Sequence, residues 1–542
     1  LIGGLAIAGQ DGVKQARPST RLDRMDAREV MGDYYVKRRD VASDNPGFYA
    51  SSPTTANIVV VLAPGQTLAQ LTSSYPVTLV RKISTPNGYV VRASTNSSQI
   101  VAAMKQDKRI LAAQLDLVGG RVKHQFEPND PFFAYDNPTG FPGQWHIKNN
   151  TGISTIDARV EAAWNKLTGT GTWSVNQGLD VVTGVIDDGL ETAHPDLASN
   201  YSAANSNDFG QGDSNPNPVN ADDDHGTAVA GIIAARGGNG IGITGVAPLA
   251  RIAGLRVDFG TSPASHFADA TTFRSSGGNT DIKLKNHSYG YSSPFVDASA
   301  EVTALGTSAS AGTIHVFSAG NSRGTASQDA NKQAVQASPN AITVAALEDD
   351  GRFAPYSNFG ANVFVTAPSS GYFNEQIGRN EGAPGITTTD RSGSSGYNPA
   401  VDDFPNTDYT SQFGGTSAAA PIVTGVLALA KRANSNLTTR WAKHLIVRSC
   451  DIVDSRDRSI SSDGGWKTNG AGFKFNQNYG FGLINAGRLT DLALTTTGVS
   501  ALETFTSGTQ TVNLAIPENS SGLTRTFNVS TANNTPLEEV TV

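Results

Sequence analysis

From about Asn129 to Leu494, short β-branched runs alternate with helical stretches of small residues. VVTGVI (181–186) is followed by TAVAGIIAAR (227–236), and TIHVFSAG (313–320) recurs later in the same rhythm. A strand apolar on both faces must be covered on both, so this alternation predicts an α/β fold, a parallel sheet with helices on either side. In such sheets functional side chains gather at the C-terminal ends of the strands.

With 542 residues the chain exceeds what one hydrophobic core usually serves, and its composition shifts along its length. Residues 1–56 are polar, broken by Gly and Pro, and carry the basic run Lys37, Arg38, Arg39; they read as disordered or leader-derived. The opening LIGGLAIAG fits either the end of a signal-peptide apolar region or ordinary sequence. Residues 57–117 have an α+β rhythm, with strands at IVVVL (58–62) and YVVRA (89–93). Ile100, Met104 and Leu111 then fall at helical spacing within SQIVAAMKQDKRILAAQL. From Gly498 to Val542, TVNLAI, RTFNVS and EEVTV predict further strands.

The net charge of −7 lacks the basic footprint of a nucleic-acid binder, and no run of about twenty apolar residues predicts a membrane span. The single cysteine, Cys450, permits no internal disulfide and reads as a buried small hydrophobe.

Three segments carry chemistry. In VVTGVIDDGLETAHPDL a strand runs into Asp187 and Asp188, which alone reads equally as a turn. In DDDHGTAVAGIIAA, His225 opens a small-residue helix. In FGGTSAAAPIVTGVLALA, Ser417 follows two glycines at a helix start, with Pro421 expected in the first turn. A serine hydroxyl becomes a nucleophile when a histidine takes its proton and a carboxylate orients the imidazolium. The chain order Asp, His, Ser is that of subtilisins, and no G-x-S-x-G elbow competes with it. A metallohydrolase built on Asp222, Asp223, Asp224 and His225 is disfavoured, since adjacent residues cannot all face one ion and no HExxH pattern is present. An inert scaffold of the same shape is disfavoured because every catalytic position holds a competent residue.

DDGLETAHPDL, HGTAVAGIIAA and GGTSAAAPIVTGV resemble the three signature segments of the subtilase family. The Asp-Asp-Gly, PNDPFF, QWHIKN and NYGFGLINAG stretches resemble its kexin and furin branch. The resemblance covers roughly 128–495 and implies a calcium-dependent, secreted serine endopeptidase acting on polypeptides. Asp187, His225 and Ser417 would be its triad, and Asn321, ending SAGN, its oxyanion donor. It further implies a subtilisin-like catalytic domain over 124–495 and, over 57–117, a prodomain acting as chaperone and intramolecular inhibitor. Residues 498–542 would open a β-sandwich P domain. Maturation is expected after Lys123, with Arg38 or Arg39 as the competing cut.

By the same resemblance, Ser288 and Gly290 bind substrate, and Asp188 and Asp222 favour a basic residue at the second position before the cut. The pattern is departed from after Ser288, where YGYSSPFVD lacks acidic residues before its final Asp, and at Asn358, where the family has glutamate. A relaxed first position is expected, and a second calcium near the substrate pocket is disfavoured. One structural calcium is expected from Asp130, Asp196 and Asn239 side chains with the carbonyls of Arg236, Ile241 and Ile243. The alternative is Asp196 as a helix cap beside a plain loop, RGGNGIGI.

Overall fold

A computed structural model describes residues 57–116, 128–134, 143–149, 155–168, 180–371, 384–401, 404–500 and 502. The chain divides between His124 and Gln125 into two compact units. The expected cut sites at Lys123 and Arg38 or Arg39, and all of the expected P-domain strands, lie outside the described residues.

In the first unit four antiparallel strands, Asn57–Leu62 (β1), Val77–Lys82 (β2), Gly88–Ala93 (β3) and Ile110–Leu115 (β4), stand in the order β2-β3-β1-β4. The period of two along β1 buries Ile58, Val60 and Leu62 against Leu71 of helix α1 (Leu68–Ser74) and Ile100, Val101 and Met104 of helix α2 (Ser97–Met104). Thr67 and Gln70 cap α1 reciprocally, and Asn96 caps α2. The helical spacing expected to run on to Leu111 is incorrect. Asp107 makes a turn by accepting the Arg109 N–H, and ILAAQL then pairs with β1 as β4, leaving Leu111 66% exposed.

In the second unit the expected parallel sheet forms. Its strands are Val182–Asp187 (β5), Asn207–Asp208 (β6), Arg251–Arg256 (β7), Ile282–His287 (β8), Ile314–Ser318 (β9), Ala341–Leu347 (β10) and Val363–Pro368 (β11). Their order is β11-β10-β9-β8-β5-β7-β6, and every pairing is parallel. Successive residues serve opposite faces. Val185 and Val316 join the large core under helices α3 (Val160–Thr168), α4 (His225–Ala234), α7 (Thr416–Ala433), α8 (Thr439–Ser449) and α9 (Ala486–Thr495). Ile186 and Phe317 pack on the other side, in clusters shared with Ala270 of helix α5 (Ala264–Thr272) and Leu305 of helix α6 (Ser299–Ser310). A hairpin of Ile386–Thr389 (β12) and Tyr409–Phe413 (β13) adjoins α4, where Thr388 and Thr389 hydroxyls donate to the carbonyls of Ala228 and Thr227.

Candidate active site

Strand β5 ends at Asp187, whose carboxylate is buried at the C-terminal edge of the sheet. Its Oδ1 lies 2.8 Å from His225 Nδ1 and accepts the Asp188 N–H at 2.9 Å. A buried carboxylate fixes the ring's tautomer, with the proton on Nδ1 and Nε2 left as the acceptor. Among the described residues Nε2 has no hydrogen-bond partner, and the side chain keeps 24% exposure. The edge of the ring meets Phe413, with centroids 5.3 Å apart.

Asp188 secures the histidine from below. Its two oxygens accept the first two N–H groups of α4, from His225 at 3.1 Å and Gly226 at 2.7 Å. Those donors have no partner within the helix, so a neighbouring carboxylate replaces the usual capping side chain. The closeness requires glycine at 226, because a Cβ there would overlap the Gly189 carbonyl oxygen. Burial, with the Asp187 charge beside it, raises the pKa of Asp188. Burial favours the neutral form of His225, but attraction from Asp187, joined by Asp188 and Asp224, outweighs it and raises the imidazole pKa.

Ser417 is the second residue of α7, and Gly415 reaches the helix through a left-handed φ of 72°. Ser417 and Ser288, the residue after β8, bind each other twice. Ser417 Oγ donates to the Ser288 carbonyl at 3.2 Å, and Ser288 Oγ donates to the Ser417 carbonyl at 3.1 Å. The second bond has a cause in the sequence. Pro421 lies in the second turn, not the first as expected, so the Ser417 carbonyl lacks the N–H it would normally receive four residues on. The Ser288 hydroxyl supplies it instead.

Asn321 follows β9 through Ala319 and Gly320. Its Oδ1 accepts both the N–H and the hydroxyl of Thr416 at 2.8 Å, which orients the amide. Nδ2 makes no hydrogen bond among the described residues and lies 2.8 Å from where a Cβ on Gly415 would stand. A donor without an acceptor beside the serine helix is the arrangement an oxyanion requires.

The three signature segments thus meet at one edge of a parallel sheet, and residues 178–482, over half of the chain, match the subtilase family. The chain belongs to the subtilase family. It is similar to furin of Homo sapiens, 32% identical over 388 residues, 68% of this chain and 42% of the relative. It is likewise similar to a PC3-like endoprotease of Hydra vulgaris, 30% identical over 72% of this chain and 51% of the relative. A calcium-dependent protease of Trichormus variabilis is 29% identical over 78% of this chain and 61% of the relative. The solved serine protease of Aeromonas sobria superposes with a TM-score of 0.57 at 27% identity, over 70% of this chain and 72% of that one. The chain spans about half the length of the curated relatives it matches.

Within this subtilase the expected substrate residues separate. Ser288 adjoins Ser417, and Gly290 is exposed beside Gln336, whose side chain donates to the Tyr289 carbonyl. Asp222 is exposed on the loop before α4, whereas Asp188 has both oxygens engaged by the helix. Asn358 is buried and fully used, donating to the Ala319 and Ser327 carbonyls and accepting the Ser322 N–H. Tyr397, and the role of Asp224 beside His225, escaped sequence reasoning. Tyr397 lies near Asp224, which immediately precedes His225, and its hydroxyl pKa is raised by burial and by the Asp224, Asp188 and Asp187 charges. The run of aspartates before His225 was the available signal for Asp224. Nothing local marked Tyr397.

Asp130, Asp196 and Asn239 do come together. Asp130 accepts the N–H groups of Gly238 and Asn239, while Asp196 accepts from Asn239 Nδ2 at 2.7 Å, the Ile243 N–H at 2.9 Å and the Tyr409 hydroxyl at 3.0 Å. Among the described residues neither carboxylate has a basic partner. Burial, with Asp130 near, pushes Asp196 up to about 6. The carbonyls of Arg236, Ile241 and Ile243 accept no hydrogen bond among the described residues, and glycine at 242 lets the loop come close, since a Cβ there would overlap Asp196 Oδ2 and the Tyr409 hydroxyl. Two buried carboxylates, an amide and spare carbonyls form a hard-oxygen donor set that fits a calcium ion. No helix among the described residues is long and apolar enough to cross a membrane.

Proposed function

We propose that this subtilase is a serine endopeptidase with Asp187, His225 and Ser417 as its triad and Asn321 as its oxyanion donor. The observation that carries the reading is the 2.8 Å bond between Asp187 and His225 Nδ1, which leaves Nε2 as an acceptor. In the reaction the Ser417 hydroxyl exchanges the Ser288 carbonyl, its acceptor at rest, for Nε2. The histidine accepts the proton as Oγ attacks the peptide carbonyl, and the Asn321 amide donates to the oxygen that becomes negative. Collapse expels the amine, which takes the proton from His225, and leaves an acyl-enzyme that water attacks by the same route. Asp187 orients and stabilises the imidazolium.

Asp188, beside Asp187, and Asp222, exposed on the loop before His225, support a preference for a basic residue at the second position before the cut. The first position is relaxed because Gln336 and Asn358 lie by the substrate strand and the oxyanion loop without charge. The first compact unit fits an inhibitory prodomain released by cleavage near Lys123, and such an enzyme acts in a secretory or extracellular setting. Calcium held by Asp130, Asp196 and Asn239 with the carbonyls of Arg236, Ile241 and Ile243 would supply charge neutralisation and rigidity, with no part in bond breaking.

Labelling with a fluorophosphonate followed by peptide mapping tests the assignment. Modification of Ser417, absent in His225→Ala, is expected; a matured protein left unlabelled overturns it. Sequencing the cuts made in a mixed peptide library then reads the preference directly.

A further inference from the structure

Behind Ser288, side chains outside the triad form an uninterrupted hydrogen-bonded row. The Tyr289 hydroxyl lies 2.9 Å from His287 Nδ1, and His287 Nε2 lies 3.0 Å from His315 Nδ1. His315 Nε2 lies 2.9 Å from Ser308 Oγ, which lies 2.8 Å from Ser275 Oγ. The row ends on Lys285 Nζ, 2.7 Å from Ser275 Oγ and bonded also to the carbonyls of Ala270, Thr271 and Phe273. It passes from the C-terminal end of α5 through α6 and β9 to the end of β8. His287, His315, Ser275, Ser308 and Lys285 are wholly or almost wholly shielded from solvent, and Tyr289 is half-buried.

Chemistry gives the row one direction. A carbonyl oxygen only accepts, so the single Ser275 proton goes to the Thr271 carbonyl at 3.0 Å, and Ser275 Oγ accepts from Ser308. Ser308 has then used its proton and must accept from His315 Nε2–H. His315 Nδ1 therefore accepts from His287 Nε2–H, and His287 Nδ1 accepts from Tyr289 O–H. Each imidazole is neutral in this order, in keeping with burial, which lowers both pKa values. The Phe317 ring, stacked at 3.9 Å, fixes the plane of His287. The Tyr289 ring, held by its hydroxyl, packs among Phe259, Phe267 and Phe317.

We propose that His287 and His315 are positioning residues: through this row they fix Tyr289, and with it the Ser288–Gly290 edge, in the orientation an extended polypeptide needs to pair with it. The proposal rests on the peptidase reading above. No atom of the row touches the reacting groups, so its contribution belongs to binding along the edge and not to the chemistry at Ser417. Loss of one such bond corresponds to about a tenfold change in KM.

The test uses the full chain with active sites titrated by fluorophosphonate, and two substrates: a short activated ester, which needs only Ser417 and its partners, and a peptide extending several residues before the cut. His315→Leu removes both bonds at similar bulk, whereas His315→Gln offers a donor and an acceptor again. His315→Leu is expected to raise KM for the long peptide about tenfold, with ester turnover within about twofold of the native chain, and His315→Gln to recover most of the difference. Should His315→Leu not fold, Tyr289→Phe removes only the terminal hydroxyl and is expected to raise the long-peptide KM more than the ester KM. Equal losses on both substrates, an unchanged long-peptide KM in a folded variant, or no recovery with Gln overturns the proposal. A native chain that has matured and turns over neither substrate overturns the peptidase reading, and this inference with it.

Discussion

Ser288 and Ser417 hold each other by two reciprocal hydrogen bonds, each hydroxyl donating to the other residue's carbonyl at 3.2 and 3.1 Å. One bond keeps the nucleophile at rest, and the other satisfies a carbonyl that Pro421 leaves open. On the proposed reading, substrate edge and nucleophile helix are therefore fastened at the residue that must react. Ser288→Ala is expected to cost about 1–3 kcal/mol in denaturant unfolding, because the buried Ser417 carbonyl then has no donor. Adding Pro421→Ala restores a backbone N–H four residues on, so the double variant should lose less than the sum of the single changes. Strict additivity would show that the two do not share that carbonyl.

Removing the nucleophile or the base should be nearly equivalent. Ser417→Ala and His225→Ala are each expected to abolish almost all peptide hydrolysis, and the pair together to be scarcely worse, because they act as one unit. Asn321→Ala should lower kcat by about 10²–10³ with KM little changed, since its Nδ2 meets charge that exists only in the transition state. Steady-state kinetics on one peptide substrate separates these patterns.

Gly226→Ala places a methyl group against the Gly189 carbonyl oxygen and must displace the start of α4. The displacement pulls the His225 and Gly226 N–H groups from Asp188 and the imidazole from Asp187. A loss of kcat of at least about a hundredfold is expected, because a shift of about an ångström in a catalytic group costs that much. The drop should exceed any fall in the thermal midpoint, which calorimetry on the same preparation checks.

Activity requires neutral His225, and its pKa is raised by Asp187, Asp188 and Asp224 against the opposing effect of burial. The acid limb of kcat/KM for the free protein should therefore lie above the ordinary imidazole value of about 6.5, with activity rising as pH increases through it. Asp224→Asn deletes one negative charge and should move that limb to lower pH. A limb that stays in place or moves upward would exclude Asp224 from the field around His225.

Asp187, His225, Ser417 and Asn321 were legible because each is announced locally, by a strand end or a helix start, and the chain order supplied the rest. The parallel sheet was legible for a similar reason, since β5, β9 and β10 are apolar on both faces. What sequence missed depends on contacts between segments far apart. Tyr397 finds Asp224 only because the loop after β12 folds back over the start of α4. Leu111 was misplaced because Ile, Leu, Ala and Gln suit a helix as well as a strand, and pairing with β1 overrode propensity. Pro421 was set one turn early because α7 starts at Thr416, and that displacement hid the link to Ser288.

Calcium is the last prediction, and here pH and metal act on the same carboxylates. Asp196 is pushed up to about 6 by burial and by Asp130, so without a cation the folded chain holds a proton that the unfolded chain, with an ordinary Asp pKa near 3.9, releases earlier. The stabilising effect of that proton is fully present below the unfolded value and is lost as pH rises through the folded one. A divalent ion replaces the proton, so its benefit should be small near pH 4 and grow toward pH 7. At a hundred times its dissociation constant the ion should contribute about 2.7 kcal/mol by mass action. Thermal unfolding with calcium and with chelator, at pH 5 and at pH 7, should therefore show the larger separation at pH 7. Asp196→Ala should lose that separation. A midpoint indifferent to chelator at pH 7 would remove the ion from Asp130, Asp196 and Asn239.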